Sequence, residues 1–136
     1  MRRLYEHVEN IINSIDDSYK DRISYQGMRE DEPDRIGIFL YSSRDDEECL
    51  SGELMWECMK LQLQVTCKEN EDDVFIKMNL IRKIVDSFVD CVSTVEGLDI
   101  LWAKSLGGKV HPPFKNGYNL QVCKCVIDFN YSLKED

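Results

Sequence analysis

The chain has 136 residues and a formal net charge of −9, from 26 acidic and 17 basic side chains. The length suits one domain spanning 1–136, and the charge argues against any role that rests on neutralising nucleic-acid phosphate or anionic lipid. A hydrophobic fraction of 43% is enough for a core, while no stretch approaches the roughly 18 apolar residues of a membrane span.

The basic start Met1-Arg2-Arg3 is interrupted at once by Glu6 and Glu9, so no secretory signal follows and a soluble intracellular protein is expected. Leu4, Val8, Ile11, Ile12 and Ile15 recur at three- and four-residue spacings, which predicts an amphipathic helix ending near Asp16-Asp17-Ser18. A short extended piece over 23–28 leads into Arg29-Glu30-Asp31-Glu32-Pro33-Asp34, read as an exposed turn. Ile36-Gly37-Ile38-Phe39-Leu40-Tyr41 is β-branched and aromatic on both faces. It is expected to be a strand covered on both sides, or one holding an aromatic pair for a neighbour.

Residues 42–48 carry Arg44, Asp45, Asp46, Glu47 and Glu48 with almost no apolar partner, and a solvated loop is expected there. Over 59–67 apolar Met59, Leu61, Leu63, Val65 and Cys67 alternate with polar residues, the pattern of a half-buried antiparallel strand. Asn70 then caps a main helix over about 71–94, whose early acids suit the positive end of the helix dipole. Its expected buried stripe is Phe75, Met78, Ile81, Ile84 or Val85, Phe88 and Val92. Gly97 stops it, a third strand follows around Leu98, Ile100 and Trp102, and Gly107-Gly108, Pro112-Pro113 and Asn116-Gly117 mark loop. The closing strand sets Cys123, Cys125, Ile127, Phe129 and Tyr131 on one face, with Val122 and Val126 on the other. The order helix, strand, strand, helix, strand, strand predicts an α+β fold, a mostly antiparallel sheet of about four strands with two helices packed on it.

No residue is assigned a catalytic, cofactor-binding or metal-binding role. Cys123-Lys124-Cys125 on a strand puts both thiols on one buried face rather than in a zinc knuckle. All six cysteines are expected to be reduced thiols, mostly core filler. The two histidines, His7 and His111, stand at no motif spacing from a cysteine, and packed or surface roles are expected for them. The acidic clusters lack the calcium-loop pattern, and Gly107-Gly108-Lys109 lacks the remaining parts of a phosphate-binding loop. Spare apolar side chains on two strands leave two readings: helices on both faces of the sheet, or a subunit interface.

An N-terminal helix is followed by Tyr25-Gln26-Gly27-Met28-Arg29-Glu30-Asp31-Glu32-Pro33 and the strand over 36–41. A long alternating strand and a helix come next, then Leu101-Trp102-Ala103-Lys104 and a loop in which Pro113, Gly117 and Asn119 follow the spacing P-x-x-x-G-x-N. The chain closes on a strand ending Asp128-Phe129-Asn130-Tyr131. This layout, covering nearly the whole chain, resembles the tail terminator and minor capsid (head-tail completion) proteins of long-tailed bacteriophages. The resemblance implies a virion structural protein, usually a six-fold ring, that caps the tail tube and docks on the head. Implied partners are further copies of the chain, the tail tube protein and head-tail connector proteins, with genomic DNA passing the lumen unbound and no membrane. Ile36, Phe39, Tyr41, Arg44, Asp45 and Asp46 are the expected oligomer contacts. The closing strand has Val122 to Cys125 where such strands often carry a glycine, which keeps another neck or head-completion connector as an alternative. A small cysteine- or metal-dependent protein is a more distant one.

Overall fold

In the computed structural model, helix α1 (Arg2–Ile15) forms where the apolar spacing places it, and Leu4, Val8, Ile11 and Ile12 are buried along one stripe. It stops where the Asp16 carboxylate accepts hydrogen bonds from the backbone N–H and the hydroxyl of Ser18 (3.0 and 2.6 Å), which turns the chain into a short 3-10 segment, Asp17–Tyr19. The structure describes residues 2–42, 57–90 and 98–133. The expected loop at 43–48, Val92, and the stop at Gly97 lie outside them.

Among the described residues six strands make one sheet: β1 (Ile23–Tyr25), β2 (Ile36–Ser42), β3 (Glu57–Cys67), β4 (Leu98–Ser105), β5 (Phe114–Lys115) and β6 (Gln121–Leu133). Their order is β1-β2-β3-β6-β4, with β5 also on β6. Only the β1–β2 pair is parallel, so the fold is α+β with a mostly antiparallel sheet. The two strands beyond the expected four have three and two residues, too short for period-two alternation to show in sequence.

The second helix, α2 (Glu71–Asp90), starts on a reciprocal cap. Asn70 Oδ1 accepts from the Asp73 N–H (2.8 Å), and Asp73 Oδ2 accepts from the Lys68 N–H (2.7 Å). The helix buries Leu80, Ile81, Ile84, Val85 and Phe88. Phe75, expected on that stripe, is instead 53% exposed, and Lys77 is 4% exposed. Two residues along a helix turn the direction by about 200°, so Phe75 faces out where Lys77 faces in.

Ile36, Ile38 and Leu40 of β2, the run Met59, Leu61, Leu63, Val65 and Cys67 of β3, Cys123, Cys125, Ile127 and Phe129 of β6, and Ile100 of β4 point to one face of the sheet, each at most 2% exposed. They join the buried residues of both helices in one hydrophobic cluster. Phe88 meets Phe129 edge-on at 5.2 Å, carrying α2 onto β6. The helices run antiparallel. His7 near the start of α1 stacks at 5.5 Å on Phe88 near the end of α2, while Ile15 and Asp16 share a surface pocket with Ile76, Asn79, Leu80 and Lys83.

The 29–34 segment is tied down rather than freely exposed. Thr66 Oγ1 accepts from the Arg35 N–H (3.0 Å) and donates to the Glu32 carbonyl (2.7 Å), and the Asp34 N–H donates to the Thr66 carbonyl. Asn116 Nδ2 donates to the Glu30 carbonyl (2.9 Å) from the loop before β6. β2 carries Gly37 because a side chain there has no room: an added Cβ would lie 2.8 Å from the Met28 Cβ and 2.9 Å from Phe39 Cε2.

Candidate interaction surface

The other face of the sheet is set by strand register. Tyr41, Lys60, Asp128 and Lys104 form one row across β2, β3, β6 and β4; Phe39, Gln62 and Val126 form the next; Gly37, Gln64 and Lys124 form a third. Both helices pack on the opposite face, and among the described residues no helix covers this one. Tyr41 is 42% exposed, and Phe39, Gln62, Gln64, Lys124 and Val126 are half-buried. At the far end Phe114 of β5 pairs with Val122, is itself 42% exposed, and carries the Lys124 ammonium 5.6 Å above its ring.

Asp128 lies in the middle of this face at 9% exposure, and its Oδ1 is buried with no hydrogen-bond partner among the described residues. A buried acceptor without a donor costs stability, more so when it is charged.

Of the residues expected to make subunit contacts, Phe39 and Tyr41 project from this face two positions apart on β2. Ile36 does not join them: it lies on the helix-covered face at 0% exposure and belongs to the core. A one-residue difference in strand parity decides this, because successive side chains point to opposite faces. Arg44, Asp45 and Asp46 lie outside the described residues.

The edge of β2 beyond β1 is closed by a side chain. Gln26, in a left-handed backbone conformation (φ 56°), donates its N–H to the Ile38 carbonyl. Its side-chain amide then donates to the Leu40 carbonyl (2.7 Å) and accepts from the Leu40 N–H (2.9 Å). One glutamine thus extends the three-residue strand β1 by another rung and covers an edge that would otherwise invite pairing.

The thiols are core groups. Cys67 and Cys123 place their sulfurs 4.0 Å apart on diagonal positions of β3 and β6, with the Cys67 thiol 3.3 Å from the Gln121 carbonyl. That thiol pair and burial raise the Cys67 pKa, and burial pushes Cys125 up to about 12. Both remain protonated and unreactive at neutral pH. Cys58 is disulfide-bonded while Cys67, Cys123 and Cys125 are free, which corrects the expectation of six reduced thiols.

His7 is buried against Phe88 with Nε2 unpartnered, and desolvation lowers its pKa. His111 Nε2 sits 2.6 Å from the Leu106 carbonyl. Its ring also lies 3.0 Å from where a Gly107 side chain would start, and Gly107 and Gly108 both adopt positive φ, so this glycine pair is a turn.

Among the described residues, most acids of the two clusters at 30–34 and 69–73 are ion-paired. Glu32 meets Arg35 at 2.6 Å, Asp31 meets Arg29 at 3.0 Å, Glu69 meets Lys115 at 2.9 Å, and Asp34 and Asp73 share Lys77. Among the described residues no group of three or more histidine, cysteine or acidic side chains is placed to hold a metal ion, and no helix is long and apolar enough to cross a membrane. No protein-family model matches the chain, and no curated protein matches its sequence.

Proposed function

We propose that the chain is a structural subunit of a phage virion, assembling with copies of itself into a ring, usually six-fold in the proteins it resembles, that ends the tail tube and joins tail to head. The observation that carries this reading is the sheet face opposite the helices. It presents Phe39 and Tyr41 near Asp128 and Phe114 at its far end, and among the described residues no helix lies over it. A surface of aromatic side chains around a buried polar group is the composition of a protein contact rather than of a substrate cleft. The layout shared with tail terminators supports the same reading, as does the charge. A ring of chains at −9 each is strongly acidic, and acids facing its lumen repel passing DNA instead of binding it.

The function is one of surface complementarity, with no catalytic residue and no cofactor. Its partners are further copies of the chain, the tail tube protein and head-tail connector proteins. Native mass spectrometry and negative-stain images of the purified chain, alone and with purified tail tubes, test it. A closed annulus that binds the tube end is the expected result. An annulus that ignores tubes and binds isolated connector proteins makes it a neck or head-completion protein instead. A chain that remains a monomer at high concentration and binds neither removes the reading altogether.

A further inference from the structure

Cys67 and Cys123 are buried at 0% exposure, yet they lie beside an opening to solvent. A surface pocket of about 390 Å³ is lined by Glu69, Glu71, Val74 and Gln121 among others. The Gln121 carbonyl is 3.3 Å from the Cys67 sulfur, and the Val74 carbonyl is 4.0 Å from the Cys123 sulfur. Two residues that line the pocket are therefore the ones that touch the two thiols. The carboxylates of Glu69 and Glu71 disfavour an anionic reagent in this pocket, whereas a small neutral one is admitted.

The two thiols are not equivalent. The neighbouring Cys123 sulfur raises the Cys67 pKa, and the hydrogen bond from Cys67 holds Cys123 below the ordinary thiol range. Cys67 is thus the donor across the 4.0 Å between the sulfurs, and Cys123 has the greater thiolate character, the form that attacks. Cys125, two residues further along β6, is pushed up to about 12 by burial and is an internal reference for an inert thiol.

We propose that Cys67 and Cys123 form an oxidation site for a small neutral peroxide, which enters by the Glu69–Gln121 pocket and closes the pair to a disulfide. The Cys123 thiolate attacks one peroxide oxygen, the O–O bond breaks, and hydroxide leaves, taking up the proton that Cys123 had released. Cys123 is now a sulfenic acid, and the sulfur anion that held the proton on Cys67 is gone. The Cys67 sulfur attacks the Cys123 sulfur, the S–O bond breaks, and the hydroxide leaves with the Cys67 proton as water. Two thiols are oxidised to one disulfide, and one peroxide is reduced to two waters. Closure brings the sulfurs from 4.0 Å to about 2.05 Å. Cys67 is the last residue of β3, where the ladder to β6 stops, so the movement falls at a strand end rather than in mid-sheet. The site is complete within one chain, so the inference stands apart from the assembly reading.

The test treats the folded full-length chain with increasing hydrogen peroxide, quenches in acid, alkylates under denaturing conditions and maps the peptides by mass spectrometry. The expected product is a pair of peptides joined at Cys67 and Cys123, lighter by two hydrogens and separated again by dithiothreitol, formed while Cys125 is still alkylated. In Cys67→Ala, which lacks the resolving thiol, Cys123 should stop at the sulfenic acid and be trapped by dimedone. In Cys123→Ala, Cys67 should remain a thiol. Circular dichroism checks that each variant is folded, and the wild-type map decides the matter if one is not. Wild-type protein in which Cys67 and Cys123 are both still alkylated when Cys125 begins to react overturns the inference. Overoxidation of Cys123 with Cys67 untouched also overturns it, as does oxidation of Cys67 in folded Cys123→Ala.

Discussion

The buried Lys77 places its ammonium 2.6 Å from Oδ1 of Asp34 and ties α2 to the turn that precedes β2. Asp73 Oδ1 takes a second bond at 3.0 Å, and the Tyr19 ring sits 5.9 Å away. Burial alone lowers the pKa of this lysine, but its bonds to Asp34 and Asp73 outweigh burial and raise it. The charge therefore persists at every pH at which the protein is handled. Lys77→Met leaves two carboxylates facing each other at a site only part-open to water. A loss of about 3 kcal/mol in urea unfolding is expected, the low end for breaking a buried pair because Asp34 keeps some solvent. A variant as stable as the wild type would show that the triad contributes nothing net.

Gln26 and Leu40 make a second prediction. Gln26→Ala removes both bonds from its amide to the Leu40 backbone while keeping a residue that must still adopt positive φ. The expected cost is about 1–2 kcal/mol. Hydrogen exchange at the Leu40 amide, which donates to Gln26 Oε1, should rise more than at the amide of residue 26, which donates to the Ile38 carbonyl through the backbone. Equal acceleration at both amides would mean that the whole edge has loosened and that the side chain is not a rung of its own.

These two features were invisible in the sequence for the same reason. Alternation over 59–67 and 121–131, and the three- and four-residue spacing over 4–15, are one-dimensional records of one-sided burial, and the strands and α1 follow them. Lys77 and Gln26 act through partners 43 and 14 residues away in sequence, at Asp34 and Leu40, and no local pattern encodes such pairings. Hydrophobicity alone places Phe75 on the stripe, but a buried lysine held by two acids outcompetes it for the inward direction. Ile36 shares parity with Ile38 and Leu40 rather than with Phe39 and Tyr41, and the structure follows the parity. Parity was the available signal.

His7 gives the fold a pH dependence of definite sign. Burial lowers its pKa from the ordinary 6.5, so in the folded chain the neutral ring persists at a pH where the unfolded chain has already bound a proton. The unfolded state then holds more protons, and stability falls as pH drops below about 6.5, levelling off below the lowered folded value. Melting temperatures measured from pH 7.5 to 4.5 should show this decline, and His7→Phe, which keeps a ring against Phe88, should flatten the part that begins near neutrality. An unchanged slope in His7→Phe would assign the decline to other groups.

Tyr41 separates folding from assembly. Its side chain is 42% exposed on the helix-free face of the sheet, and its row neighbours Lys60 and Asp128 are set by backbone register rather than by its ring. Tyr41→Ser should therefore change monomer stability by less than about 1 kcal/mol, since an exposed strand position loses only modest cross-strand packing. If the face is the contact surface, the same substitution removes a large aromatic anchor, and assembly measured by sedimentation velocity should weaken by about tenfold or more. Ile36→Ala is the matched control. It deletes a fully buried core side chain, so it should cost about 2–5 kcal/mol of stability while leaving the association of the remaining folded molecules unchanged. The two variants move different observables because their side chains, five residues apart on one strand, point to opposite faces of the sheet. Normal assembly of Tyr41→Ser would exclude this face as the interface.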